Sequence, residues 1–155
     1  MKSTSGVTLL EMLIVVALIG LLAGITFPAA SSGIDSLRLT SAASSVVGLF
    51  NEALIRAERR QQVVELTIAR KERTLRLRSA EPGFHKEIEL PPGISILSIQ
   101  PQPLEGAEDG PRRFMLYPGG AVPRLEIVIS NARNARRVVR LDPITGVASV
   151  ARVEK

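Results

Sequence analysis

Glu11 is the residue whose position most needs a chemical reason. It stands at the mouth of a long apolar run, flanked by Leu9-Leu10 and Met12-Leu13. A carboxylate in hydrocarbon costs about 2.5–3.5 kcal/mol on insertion scales, so it calls for a cationic partner or an interfacial position. Other chemistry-bearing residues are sparse. His85, the only histidine, sits in Gly83-Phe84-His85-Lys86 with no acid-plus-nucleophile pattern around it, and reads as a solvated turn residue. Glu105, Glu108 and Asp109 could ligate calcium, but they lack the alternating spacing of an EF-hand loop and read as a solvated loop. The chain has no Cys, which excludes disulfides, thiolate metal sites and a cysteine nucleophile. No glycine-rich phosphate-cradling string occurs. The expectation is therefore a protein without catalytic residues, metal or cofactor.

One basic cluster stands out. Arg133, Arg136, Arg137 and Arg140 gather around a single turn. Arginine suits bidentate phosphate contacts, so this patch could hold a DNA backbone. Alternate arginines are also the ordinary solvated face of a half-buried strand. With one Tyr, four Phe and no Trp, the chain offers no stacking platform for single strands.

The elements that would carry these residues differ sharply in composition. From Val7 to Ile34, 19 of 28 residues are apolar, against 50 of 121 from Asp35 onward. Met12 to Ile34 is 23 residues without a charge, while residues 35–155 hold 33 of the 35 charged side chains. As a helix, that uncharged run would span about 35 Å, enough for a hydrocarbon core of about 30 Å. Pro28 is expected to end or kink it, and Gly20, Gly24 and Gly33 to weaken it. Lys2 before the run orients its N-terminus toward the cytoplasm. A secretory signal peptide cut near Ala29-Ala30-Ser31 and an uncleaved signal anchor both fit this pattern. Neither explains Glu11.

The string Gly6-Val7-Thr8-Leu9-Leu10-Glu11-Met12-Leu13-Ile14-Val15 resembles the cleavage motif of type IV pilins and type II secretion pseudopilins. The resemblance implies that a prepilin peptidase cuts between Gly6 and Val7, that Val7 is then N-methylated, and that Glu11 is the fifth mature residue. The family usually has Phe where Val7 stands. Pro28 matches its helix-kinking proline. Val7 and Glu11 are four apart and share a helical face. Cleavage would create a positive amine at Val7, and in the family Glu11's counterpart pairs with the amine of a neighbouring subunit. Such heterologous pairing sets the register of a helical filament.

Past Pro28, Leu39, Ala43, Val46, Phe50, Leu54 and Ala57 recur at spacings of three or four, an apolar stripe expected to pack under a sheet. Arg38, Glu52, Arg56, Glu58, Arg59 and Arg60 lie mostly off it. The period changes to two at Gln62. Val64, Leu66 and Ile68 alternate with polar residues, and a charged turn at Arg70-Lys71-Glu72 leads into Thr74–Arg78, a hairpin with a polar outer face. Further strands are expected at Glu87–Leu90, Ile94–Ile99, Arg113–Tyr117, Arg124–Ser130, Arg137–Leu141 and Ala148–Val153. Gln100 to Pro111 reads as a loop.

The later pattern, Phe114 to Gly120, a strand, then Asp142-Pro143-Ile144-Thr145-Gly146, looks like the C-terminal region of H-type minor pseudopilins. The calcium-loop pattern of the major G-type is not evident, and the K-type tip subunit typically lacks the acid that Glu11 supplies.

The fold expected is α+β and type IV pilin-like: a long N-terminal helix, half transmembrane and half amphipathic, packed on antiparallel sheet. Residues 1–6 would be the leader and 7–34 the membrane and assembly helix. Residues 35–155 would form a periplasmic head, helical to about 61. The resemblance implies a structural minor pseudopilin of the inner membrane that enters the pseudopilus of a type II secretion system. Its partners would be prepilin peptidase, major and minor pseudopilins, the inner-membrane assembly platform and lipid. The alternative is a type IV minor pilin in pilus initiation or DNA uptake.

Overall fold

The computed structural model describes residues 8–79, 83–102 and 110–152, with backbone alone at positions 25, 27–32 and 152. One helix, α1 (Leu9–Arg60), is followed by eight strands: β1 (Val64–Ala69), β2 (Thr74–Ser79), β3 (His85–Glu89), β4 (Ile94–Gln100), β5 (Arg112–Leu116), β6 (Leu125–Asn131), β7 (Arg136–Leu141) and β8 (Ala148–Arg152). The chain divides into two units, Met1–Ile34 and Asp35–Lys155.

In the first unit the described residues from Thr8 to Gly24 are all exposed, including Leu9, Leu13, Ile19 and Leu22. Pro28 does not end the helix as expected, because the element continues to Arg60. Of the two outcomes expected at Pro28, an end or a kink, the continuous element rules out only the end. The expected span Met12–Ile34 includes positions whose side chains lie outside the described residues. Among the described residues, no helix is long and apolar enough to cross a membrane.

The second unit is an α+β domain. Its helical segment buries Leu39, Ala42, Ala43, Val46, Leu49, Phe50, Ala53 and Ala57. The sequence stripe is recovered, with Ala42, Leu49 and Ala53 widening it and Leu54 only partly buried. The helix ends where Gln61 adopts φ 52° and the Gln62 N–H donates to the Ala57 carbonyl at 3.3 Å. That is the 6→1 bond of a Schellman cap, with Gln61 in the place usually held by glycine.

The strands form two antiparallel four-stranded sheets, ordered β3-β2-β1-β5 and β4-β6-β7-β8. Inward residues of both, such as Leu66, Ile68, Leu75 and Leu77 of the first and Ile127, Ile129, Val139 and Leu141 of the second, join the helix stripe in one core. Burying each large apolar side chain contributes about 1.5–3 kcal/mol. The outer face of the first sheet is polar as expected, with Glu65, Thr67, Arg76 and Arg78 alternating with core residues. The strand expected at Glu87–Leu90 lies earlier. Leu90 leaves the ladder, buries its side chain, and donates its N–H to the Arg73 carbonyl at 2.9 Å. Val153, expected to end the last strand, lies outside the described residues.

Candidate processing and assembly site

Gly6 and Val7, the expected cleavage pair, lie outside the described residues, and so does the Pro28 side chain. Glu11 is described. Helix α1 starts one residue after Thr8, which occupies the N-cap. The Glu11 N–H donates to Thr8 Oγ1 at 3.2 Å, and the Met12 N–H to the Thr8 carbonyl at 3.3 Å. Thr8-Leu9-Leu10-Glu11 is thus a Thr-x-x-Glu capping-box string, whose side-chain oxygen satisfies an orphan donor of the first turn. An acid at this third position also complements the helix dipole. Thr8 is a site residue that the sequence reading passed over, although its spacing to Glu11 is the signal. Among the described residues the Glu11 carboxylate has no hydrogen-bonded or ionic partner. It is exposed, and Leu9, Leu10, Met12 and Leu13 around it are 87, 68, 56 and 63% exposed. Contiguous apolar exposure of this kind marks an interaction or membrane surface.

The four clustered arginines do not form one surface. Arg136 and Arg140 project to one face of β7, whereas Arg137 shares the other with buried Val139 and Leu141. Arg140 lies directly across from Glu126 and pairs with it at 2.8 Å. Arg133, in the β6–β7 turn, pairs with Asp35 at 3.0 Å. Asn131 fixes that turn, its Oδ1 accepting the N–H groups of Arg133 and Ala135, both at 3.0 Å. Two of the four cations thus face carboxylates, leaving Arg136 and Arg137 without an acidic partner among the described residues.

Elsewhere the polar contacts are architectural. His85 is exposed, with Nε2 3.5 Å from Glu87 Oε2. Glu105, Glu108 and Asp109 lie outside the described residues. At the end of α1, Glu58 Oε1 accepts the Gly119 N–H at 2.9 Å, fixing the turn after β5, where Gly119 has φ 61°. Lys86 pairs with Glu52, and the Arg56 guanidinium lies 3.4 Å from the Phe84 ring centroid. In the last turn Asp142 Oδ1 accepts N–H from Ile144 at 2.8 Å and Thr145 at 3.3 Å. These backbone donors, Ile144 first, hold the Asp142 carboxyl below its ordinary pKa. A groove of about 410 Å³ runs between Leu54, Ile55 and Arg59 of the helix and the turns at Gly120 and Ile144.

Residues 1–27 match the family model described as the prokaryotic N-terminal methylation motif, which supports a type IV pilin-like protein. The match spans Gly6, Val7, Thr8 and Glu11. No curated protein and no solved structure matches the chain.

Proposed function

We propose that the protein is a minor pseudopilin, a structural subunit that enters the periplasmic pseudopilus of a type II secretion system and helps to export folded proteins. One observation carries the reading: the methylation-motif match over residues 1–27 coincides with an exposed Glu11 that has no partner among the described residues and stands on an apolar helix. Cleavage after Gly6 by a prepilin peptidase would place a methylated amine at Val7, one helical turn before Glu11. In the filament, Glu11 would pair with the amine of a neighbouring subunit, neutralising both charges where water is scarce. Before assembly the apolar segment would anchor the chain in the inner membrane, N-terminus inside and C-terminal domain in the periplasm. The H-type assignment rests on the Phe114–Gly120 and Asp142–Gly146 turns, both of which are ordered by specific hydrogen bonds.

Mass spectrometry of the mature N-terminus tests this reading. A chain beginning at methylated Val7 is expected; a chain cut near Ala30 or left intact would overturn it. The second reading, a minor pilin that captures DNA, retains Arg136 and Arg137 as contacts. Gel-shift titration of the full chain in detergent, with and without Arg136→Ala and Arg137→Ala, separates the two. Salt-sensitive binding lost in the double variant would favour the DNA reading.

A further inference from the structure

Among the described residues the two sheets leave four edge strands: β3 and β5 in one, β4 and β8 in the other. An open edge presents unpaired N–H and C=O groups, a template for another chain, and proteins blunt such edges with charge, proline, bulges or a covering group. Three of the four carry such devices along their length, whereas β8 has a charged residue only at its end, Arg152. Strand β3 has His85, Lys86, Glu87 and Glu89 among its five residues. Strand β5 opens with Arg112 and Arg113 and is soon followed by Pro118, and Arg112 Nη2 donates to the Pro101 carbonyl at 2.6 Å. Strand β4 shifts register between Ile96 and Ser98, and the Ile96 carbonyl is taken by Arg70 Nε at 3.0 Å.

Strand β8 has none of these devices over Ala148-Ser149-Val150-Ala151. That stretch is uncharged, free of proline and in unbroken register with β7. The Asp142 N–H donates to the Val147 carbonyl at 3.1 Å and closes the β7–β8 hairpin. Antiparallel pairs alternate between bonded and unbonded. Counting from that bond, Arg140–Ser149 and Val138–Ala151 are the bonded pairs, so the main chain of Val150 faces away from β7. The Val150 side chain lies across from fully buried Val139, yet it is itself 42% exposed. Ser149 and Ala151 are small and add no steric barrier.

We propose that β8 takes up an extended, acidic segment of another polypeptide as an added strand. Main-chain bonds to Val150 would give it affinity, and apolar residues at alternate positions would cover the Val150 side chain. Charge selects the guest. Arg136 on one face of β7 and Arg137 on the other have no acidic partner among the described residues, and the single acid in the strands of this sheet, Glu126, is already paired with Arg140. A second copy of this chain would bring the same excess of cations to the edge and be repelled. A guest with carboxylates beside its apolar positions would be attracted.

The test uses the full chain in detergent micelles and a dye-labelled peptide, Ser-Glu-Val-Glu-Val-Glu-Ser, followed by fluorescence anisotropy. Saturable binding that weakens as salt rises is expected. About tenfold loss is expected in Val150→Pro, which removes an outward N–H and spares the bonds to β7. The same loss is expected for wild-type protein with a peptide N-methylated at alternate positions, so the result does not depend on the variant folding. Replacing the peptide's Glu by Lys should abolish binding. No binding, equal binding of the Lys peptide, or indifference to N-methylation would overturn the proposal. So would concentration-dependent dimers of the chain that disappear in Val150→Lys, since the edge would then be filled by a second copy.

Discussion

The Glu11 main-chain nitrogen and the Thr8 hydroxyl are joined across 3.2 Å, so the carboxylate of Glu11 grows from a backbone already fixed by a cap. Glu11 therefore has two separable roles, closing the first turn and presenting a charge. Thr8→Ala removes the cap at a cost of about 1 kcal/mol of helix stability and leaves the charge in place. Glu11→Gln keeps the side chain's size and removes the charge. If Glu11 pairs in trans, Thr8→Ala is incorporated nearly as well as wild type. Glu11→Gln is cleaved normally but incorporated about tenfold less, the effect of 1.4 kcal/mol of lost pairing. Cross-linking of subunits in sheared filaments measures both. Since Glu11→Gln keeps the capping N–H, wild-type incorporation of that variant would remove the pairing role and leave Glu11 a capping residue.

Phe50 is the largest of the fully buried side chains and belongs to the core that the helix stripe shares with both sheets. Phe50→Ala is expected to destabilise the domain by about 3–5 kcal/mol, through lost apolar transfer and the cavity left behind. Phe50→Leu should cost markedly less. Denaturant titration monitored by circular dichroism reads the difference, and equal midpoints for the two variants would contradict this placement of Phe50.

Period made much of this legible. The stripe from Leu39 to Ala57 and the alternation in each strand follow from 3.6 and 2.0 residues per repeat, and every expected strand lies within two residues of an observed one. Pairing was not legible. Strand β1 lies between β2 and β5, and β5 begins more than 40 residues beyond it in sequence. Most strands present similar apolar alternation, so nothing local names their neighbours. The arginine cluster shows the same division. That Arg136 and Arg137 face opposite ways follows from strand alternation, but Arg133's partner Asp35 is 98 residues distant. At Pro28 the local signal allows two outcomes, an end or a kink, and only the end is ruled out by a helix that continues to Arg60.

Arg70 joins the two sheets, its Nε donating to the Ile96 carbonyl at 3.0 Å from the turn between β1 and β2. Arg70→Ala is expected to cost about 1 kcal/mol, typical of one net hydrogen bond. It should also loosen β4 at its bulge. Faster amide exchange at β4 residues, with β7 unchanged, is the expected signature. Uniform acceleration across both sheets would indicate a global effect instead.

Asp142 gives the last hairpin a pH dependence whose sign follows from its two donors. The ionised carboxylate accepts the Ile144 and Thr145 N–H groups, so the folded-state pKa is lowered below the unfolded one. A lowered carboxyl pKa contributes stability that is complete above the unfolded value, about 3.9, and is lost as pH falls through the folded value. The turn should therefore loosen below about pH 4 while the core stays closed. Amide exchange at Ile144 and Thr145, referenced to intrinsic rates, is expected to accelerate there. Asp142→Asn keeps an acceptor but cannot titrate, so its protection at these amides should be lower at neutral pH and flat with acid. A variant that retains the wild-type pH profile would show that another group controls the turn.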